Sequence, residues 1–362
     1  MCYNYFMLQK PSCNAVSFPQ RMSLSDPQGI NLTSRRYIGS KHKLTKWIFS
    51  IIKEECGNGT FADIFAGTGA VAAAAVGWFD KIIVNDFLHS NEVIYKAFFG
   101  AETWSGDKLQ NIIREYGNIP ARDMEDNYFS ANYGGKFFSH GSAQIIGHIR
   151  EDIERRKDEL NDREYNILVA SLLYSTDRIA NTVGHYDAYF KKGEIRDRFS
   201  MKLIRPLDIK NVSIFREDAN AIVRRIVADV VYIDPPYNSR QYSRFYHVLE
   251  TLTRWHKPEL YGVAMKPKAE NMSDYCRVSA KNKFTDLVNN LQARHIVVSY
   301  NNTYRSKSKS SQNCMSLSDI EGALKRRGKT ERYEKPHRCF NSGKTDFNDH
   351  REFLFVTDTQ QT

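Results

Sequence analysis

Residues 61–69 read Phe-Ala-Asp-Ile-Phe-Ala-Gly-Thr-Gly, a short apolar run that enters a glycine-rich turn. A short apolar run bounded by turn formers is typical of a buried strand in a parallel sheet. The alanine-rich stretch 70–75 that follows is predicted to be a helix. Glycines at positions 67 and 69 allow the backbone to approach a ligand closely. This stretch therefore predicts a strand, a ligand-binding turn and a helix in succession.

Further apolar runs of the same kind recur along the chain and predict more buried strands. They are Ile82–Val84, Val212–Phe215, Val230–Ile233, Ile296–Ser299 and Phe353–Val356. A helix with apolar residues at helical spacing, 44–52, is predicted before the first strand, and further helices between the strands include 247–255. Strands alternating with helices indicate an α/β fold, a mainly parallel Rossmann-like sheet.

The stretch 100–211 interrupts this alternation, because its pattern is helical and highly charged. Its apolar ridges at helical spacing are Ile145, Ile149 and Ile153, and Ile167, Leu168, Leu172 and Leu173. We predict a sheet domain formed by 34–99 and 212–362, with 100–211 as a mostly helical insertion. Residues 1–33 lack periodicity and are predicted to be a flexible tail.

A carboxylate, Asp86, follows the second predicted strand, nineteen residues beyond Gly67. In nucleotide-binding sheets an acid at this place takes ribose hydroxyls. The turn has only two of the three glycines of the dinucleotide fingerprint. A dinucleotide oxidoreductase would still explain Gly67, Gly69 and Asp86, but it leaves the next motif without a role.

Asp234-Pro235-Pro236-Tyr237 directly follows the strand Val230–Ile233. It lies at the carboxyl end of a buried strand, the edge at which such sheets bind ligands. The two prolines fix the backbone and remove two N–H donors, which leaves carbonyls to face a pocket. Carboxylate, carbonyl and aromatic ring together suit a planar amino group, with Asp234 accepting its hydrogens and Tyr237 stacking on the base.

Asp234–Tyr237 together with Asp63–Gly69 resembles the amino-methyltransferase signature of DNA adenine methyltransferases. The upstream run Tyr37–Lys41 is similar to one that in this family contacts the methionine end of the cofactor. The motif order resembles that of the alpha group, which includes the Dam enzymes. The extended match Asp234–Tyr242 looks like the methyltransferases of type II restriction-modification systems.

The resemblance implies S-adenosylmethionine as methyl donor, no metal, and adenine N6 in double-stranded DNA as acceptor. It implies that the adenine is flipped out of the duplex. It implies a possible cognate restriction endonuclease acting on the same site, and a monomer would suffice. The implied catalytic residues are Asp234, Pro235, Pro236 and Tyr237. The implied cofactor-binding residues are Tyr37, Lys41, Asp63, Phe65, Gly67, Gly69, Asp86 and Asp218.

Contacts to DNA are expected from several places outside these motifs. The insertion is the predicted target-recognition domain, and the polar and aromatic cluster Asn181–Tyr186 lies within it. Arg240, Tyr242 and Arg244 follow the catalytic turn as candidate phosphate or base contacts. Residues 305–338 hold ten Lys or Arg against four acidic residues and are predicted to form a flexible basic loop and a short helix capped by Ser318 and Glu321.

Composition agrees with a DNA-binding protein of the cytoplasm. The formal net charge of +10 favours a polyanionic partner. The six cysteines are far apart and form no Cys-x-x-Cys pair, which argues against a disulfide framework and a zinc cluster. No apolar run is long enough to span a membrane.

Other functions remain open at this point. The acid-Pro-Pro-aromatic motif also serves adenine methyltransferases that act on RNA. Cytosine-N4 methyltransferases more often have serine where Asp234 stands. A non-catalytic DNA-binding protein descended from an enzyme would be expected to have a damaged motif, and here the motif is intact.

Overall fold

The computed structural model describes residues 30–119, 124–302, 312–337 and 350–360. Its main sheet contains β1 (Thr60–Asp63), β2 (Lys81–Asn85), β3 (Val212–Phe215), β4 (Val227–Ile233), β7 (Gln292–Asn301), β8 (Lys329–Pro336) and β9 (Arg351–Asp358). A separate two-stranded hairpin is formed by β5 (Leu260–Tyr261) and β6 (Lys266–Pro267).

The strands of the main sheet lie in the order β3-β2-β1-β4-β7-β9-β8. The five strands from β3 to β7 in this order are parallel, and β9 runs antiparallel to both of its neighbours. All six strands predicted from apolar runs are present, and the expected α/β fold with a mainly parallel, Rossmann-like sheet is confirmed.

Helices cover both faces of the sheet. They are α1 (Thr45–Glu55), α2 (Ala70–Ala75), α3 (His89–Phe99), α4 (Gly106–Gly117), α5 (Tyr128–Tyr133), α6 (His140–Arg155), α7 (Asp162–Ile179), α8 (Ala219–Ile222), α9 (Tyr242–Phe245), α10 (His247–Arg254), α11 (Ala280–Asn290) and α12 (Leu317–Lys325). Successive residues of a strand point to opposite faces. In β4, Val230 and Tyr232 therefore join one hydrophobic core, while Val231 and Ile233 join the other.

The inserted stretch is helical from α4 to α7, as predicted. Residues 180–211 contain no helix or extended strand, only turns and an isolated bridge at Ile204. The buried residues of α6 and α7 belong to the same hydrophobic cluster as one face of the sheet. The insertion is therefore packed directly on the sheet domain and shares its core.

The flexible tail was predicted to extend to residue 33, and this bound is wrong. Ile30 forms a β-bridge with Ile204, Leu32 is buried, and Leu32–Ser34 form a 3-10 helix. Two apolar side chains separated by one residue gave no periodic signal, so the contact with the insertion was not predictable locally. Residues 1–29 of the predicted tail lie outside the described residues.

The basic segment also differs from its prediction. Residues 329–336 form the edge strand β8, whose charged side chains face solvent while its backbone pairs with apolar β9. The preceding helix α12 is capped by Ser316 and Asp319, two residues before the predicted pair Ser318 and Glu321. The Ser/Lys repeat at 306–311 lies outside the described residues.

Within the described residues, no helix combines the length and apolar character that crossing a bilayer requires. Cys56, Cys276 and Cys314 are free thiols. Cys2, Cys13 and Cys339 lie outside the described residues.

Arg150, 1% exposed, joins the insertion to the last turn of α10. Its guanidinium donates to the carbonyls of Leu252 (2.7 Å) and Thr253 (3.1 Å). Helix carbonyls at a carboxyl end need such partners.

Arg150→Leu leaves these carbonyls buried and unpaired, so we expect the free energy of unfolding to fall by about 3 kcal/mol, measured by urea denaturation. Arg155→Leu, at a 67% exposed side chain of the same helix, should change it by less than about 0.5 kcal/mol. Equal effects of the two substitutions would contradict this account.

Candidate active site

A cleft of about 930 Å³, part of it open to solvent, lies where the parallel strands end. β1 and β4 are neighbours, with Asp63 paired to Tyr232, so their carboxyl ends meet at one edge of the sheet. Asp63 ends β1, Asp86 follows β2, and Asp234 follows β4. Parallel pairing thus brings together three acids that are distant in sequence, all lining this cleft.

The glycine turn forms the floor of the cleft. Gly67 and Gly69 have φ of +54° and +74°, values that favour glycine. A Cβ atom added at Gly67 would lie 3.2 Å from the ring of Tyr37. The carboxylate of Asp86 accepts from the N–H groups of Gly67 and Leu88, both at 2.9 Å. Asp86 therefore pins the turn as well as lining the cleft.

Asp63 is a buried carboxylate with little compensation, because only the nearby backbone N–H groups of Ala72 and Phe65 favour its charged form. It is 1% exposed, and neither of its oxygens has a hydrogen-bond partner among the described residues. Burial raises the pKa of Asp63 well above its ordinary value, and the nearby Asp234 and Asp86 raise it further. An unpaired buried acid of this kind suits a cationic ligand.

The turn 234–237 is held by Lys41 from the upstream run. The Lys41 ammonium is 3.0 Å from Oδ2 of Asp234 and donates to the Tyr237 hydroxyl at 2.5 Å. That hydroxyl in turn donates to Oδ1 of Asp234. The Tyr237 ring packs edge-on against Tyr300, with centroids 4.8 Å apart. Burial raises the pKa of Asp234, while Lys41 and the Tyr237 hydrogen bond act against that rise. Pro235 is buried and Pro236 lines the cleft.

Glu352 is a further carboxylate at this edge that was missed from the sequence. It is 5% exposed, and its Oε2 lies 3.9 Å from the Lys41 ammonium. Because β9 is antiparallel, its first residues lie beside the carboxyl end of β7, with Glu352 opposite Asn301. An acid directly before the apolar run 353–356 was the available signal, but reading it required knowing the direction of β9.

Aromatic rings form one wall of the cleft. Tyr37 stacks on Tyr246, with ring centroids 4.8 Å apart, and on Tyr242 at 5.3 Å. The Tyr246 hydroxyl accepts from the N–H of Ile38 at 2.8 Å, and the Tyr242 hydroxyl donates to its carbonyl at 3.2 Å. These bonds fix the upstream run against α9 and α10. Tyr246 was missed from the sequence.

Two other predicted cofactor residues also line the cleft. Phe65 packs edge-on against Tyr275, with centroids 4.9 Å apart. Asp218 is the N-cap of α8, where its side chain accepts from the N–H groups of Asn220 (3.0 Å) and Ala221 (3.3 Å). The capping role explains its position after β3 and leaves its contact with a cofactor a prediction.

The predicted DNA-contacting residues have partners within the chain. Tyr242 belongs to the cleft wall, Arg244 donates to the carbonyl of Pro267 in β6 at 2.5 Å, and Arg240 lies over the Phe245 ring at 5.7 Å. In the cluster 181–186, Tyr186 is fully buried, and its N–H donates to the carbonyl of Phe245. That cluster links the insertion to the end of α9. Contact of DNA with this cluster, and with Arg240, Tyr242 and Arg244, stays a prediction.

The charge of the cleft is strongly negative. Asp63, Asp86, Glu217, Asp218 and Asp234 line it, with Lys41 as the one basic side chain among its described lining residues. No group of three or more His, Cys, Asp or Glu side chains suited to a metal ion occurs within the described residues. The arrangement favours an organic ligand that carries positive charge.

Comparison with known proteins agrees with this geometry. A family model described as D12 class N6 adenine-specific DNA methyltransferase matches residues 37–312. The chain is 33% identical over 338 residues to the type II methyltransferase M.CviAII of Paramecium bursaria Chlorella virus 1, covering 90% of this chain and 98% of that protein.

Two longer proteins match as well. The modification methylase LlaI of Lactococcus lactis subsp. lactis is 33% identical over 290 residues, covering 74% of this chain and 46% of that protein. The type II methyltransferase M.FokI of Planomicrobium okeanokoites is 32% identical over 349 residues, covering 88% and 52%. The chain thus spans about half the length of these two relatives and nearly all of M.CviAII. By fold, by site and by these matches, the chain belongs to the D12 class of N6 adenine-specific DNA methyltransferases.

Proposed function

We propose that this chain transfers a methyl group from S-adenosylmethionine to N6 of adenine in double-stranded DNA. The observation that carries the proposal is the pairing of two sites in one cleft. Asp63 offers an unpaired acid to a cationic cofactor, and Asp234 offers carboxylate oxygens beside an aromatic ring for a planar amine.

The cleft residues suit the cofactor. S-adenosylmethionine supplies an electrophilic methyl group on a positively charged sulfur, and its amino group is also a cation. Asp63 would hold the ammonium, and the surplus of carboxylates favours a cationic molecule over an anionic one. Tyr37 and Phe65 would pack on its apolar parts, while Asp86 and Asp218 lie where hydroxyl or amino groups of the nucleoside would be bound.

Asp234 would act on the target amine. Its carboxylate and a proline carbonyl accept the two amine hydrogens, which aims the nitrogen lone pair at the methyl group. As the nitrogen attacks the methyl group and the methyl–sulfur bond breaks, positive charge would develop on the nitrogen, and the ionised Asp234 would stabilise it in a partly water-excluded site. N6 would then release one proton to solvent, and the demethylated cofactor would leave as a neutral thioether. Tyr237 would stack on the flipped adenine, which must leave the duplex at a cost of about a few kcal/mol.

The substrate duplex would be recognised largely by 100–211, with Arg240, Tyr242 and Arg244 near the catalytic turn. Since relatives are named modification methylases and type II methyltransferases, we propose that a restriction endonuclease shares its site. A monomer acting in the cytoplasm would suffice, because each strand can be methylated separately.

The reaction can be tested directly with tritiated S-adenosylmethionine. We expect label on adenine N6 of unmethylated duplex DNA, at one recurring sequence. The same assay with structured RNA is the control for the acceptor. Label in RNA alone, or on cytosine N4, would overturn the proposed acceptor.

Asp234→Asn should reduce methyl transfer to DNA by at least about a thousandfold. The amide keeps the shape but cannot stabilise the developing charge. Cofactor binding, measured by calorimetry, should change by less than about threefold, since Asp63 carries the proposed ammonium contact. Asp286→Asn, at a partly exposed acid on α11 that is paired with Arg224, is the matched control and should keep wild-type activity. Normal turnover of Asp234→Asn would show that Asp234 takes no part in methyl transfer.

Asp63→Asn should weaken S-adenosylmethionine binding by at least about tenfold. Because its pKa is raised, Asp63 is protonated at low pH and cannot bind a cation in that form. Wild-type affinity should therefore increase as pH rises through this pKa, and the increase should vanish in Asp63→Asn. Asp80→Asn, at an exposed acid before β2, should behave as wild type. Unchanged cofactor affinity in Asp63→Asn would mean that a residue other than Asp63 binds the ammonium group of S-adenosylmethionine.

A further inference from the structure

The acceptor oxygens of Asp234 are already engaged. Oδ2 lies 3.0 Å from the Lys41 ammonium, and Oδ1 accepts from the Tyr237 hydroxyl. Lys41 also donates to that hydroxyl at 2.5 Å, so the three groups form a closed cluster. An adenine amine needs these same oxygens. Each oxygen can accept a second hydrogen bond, but while Lys41 stays beside Asp234 it offsets the negative charge that the attacking amine needs, so we expect Lys41 to withdraw from Asp234 when the amine binds.

A withdrawn Lys41 needs another anion. Its side chain is 4% exposed, so water cannot replace the lost partner, and an unpaired buried ammonium is strongly unfavourable. The flexible four-carbon stem of lysine allows the ammonium to shift by about an ångström without movement of the backbone.

Glu352 lies where that anion is needed. Its Oε2 is 3.9 Å from the Lys41 ammonium and has no hydrogen-bond partner among the described residues. It reaches the cluster from β9, on a different strand from Asp234, so it does not compete with the target base for space at the catalytic turn. Its own position is fixed opposite Asn301 in β7.

We propose that Glu352 is a positioning residue that takes over the Lys41 ammonium when the target amine binds Asp234. This inference rests on the proposed function, because it assumes that Asp234 holds the amine. Glu352 touches neither base nor cofactor in this scheme and acts only through Lys41.

The charges around Glu352 agree with a transfer of this kind. Burial raises the pKa of Glu352 to about 7; Lys41 opposes the rise, Asp234 adds to it, and a hydrogen bond with the Asn301 side chain opposes it. Lys335 of β8 is paired with Glu352 across the strands, but its side chain is exposed and lies over the Trp47 ring. Below pH 7 Glu352 is neutral and Lys41 stays on Asp234. Above pH 7 the ionised form is available to receive Lys41, so kcat/KM for DNA should rise through this range.

Glu352→Gln is the main test, because it removes the charge and keeps the shape. We expect kcat/KM for DNA to fall at least about tenfold at pH 8. We expect the rise near pH 7 to disappear, with cofactor affinity within about twofold of wild type. Glu352→Asp keeps the charge and should recover part of the loss, because the lysine stem can follow the shorter acid. Glu334→Gln, at an exposed acid on β8 paired with Arg351, is the matched control and should keep both rate and pH profile.

Several outcomes would overturn the inference. Wild-type kcat/KM and pH profile in Glu352→Gln would do so, as would a Glu352→Asp variant no better than Glu352→Gln. If Glu352→Gln does not fold, the test uses Glu352→Asp and the pH profile of the wild-type protein instead. A wild-type profile that is flat between pH 6 and pH 8, about one unit either side of the expected pKa, contradicts the inference. Failure of the proposed function is separate, because it appears as normal turnover in Asp234→Asn.

Discussion

The buried ammonium of Lys41 is the constraint on which the active site depends. Lysine is almost never fully buried unless it is paired, and here the pairing partners come from the end of β4 and the start of β9. The segment before α1 is therefore tied to the centre of the sheet by charge as well as by packing. The aromatic wall strengthens the tie, since Ile38 bonds to both Tyr242 and Tyr246.

Hydrogen bonds also join the insertion to the segment that follows the turn 234–237. Asp177 at the end of α7 accepts from the N–H of Arg36 at 3.1 Å and from the Tyr186 hydroxyl at 3.0 Å. Tyr186 in turn donates its N–H to the carbonyl of Phe245, the last residue of α9, which follows the turn 234–237. With a hydrophobic core shared between them, insertion and sheet form one packed body. A base recognised by the insertion would thus be presented to a turn held by the same network.

Much of this arrangement was predictable because it is local. Apolar runs marked six strands, and Asp63, Asp86 and Asp234 could be placed at one edge because parallel strands end together. Strand β8 was missed because its sequence is charged and its stability comes from pairing with β9. Glu352 and Tyr246 were missed for a related reason. The direction of β9 and the stacking of α9 and α10 on the upstream run are tertiary facts with no periodic signal. The N-cap of α12 was placed two residues late because two overlapping serine patterns compete there.

The closed cluster also bears on which bases the site accepts. Two hydrogen bonds from Lys41 and Tyr237 satisfy Asp234 in the absence of substrate, so a base must bring donors of its own to replace them. A thymine, or the O6 edge of guanine, would set an acceptor against a buried carboxylate. Such bases would leave Lys41 where it is. The amine of cytosine would pass this test as well as that of adenine, because both carry two donors. Selection between these two bases must then come from the size and stacking of the ring against Tyr237, and the carboxylate alone explains only the choice of an amine.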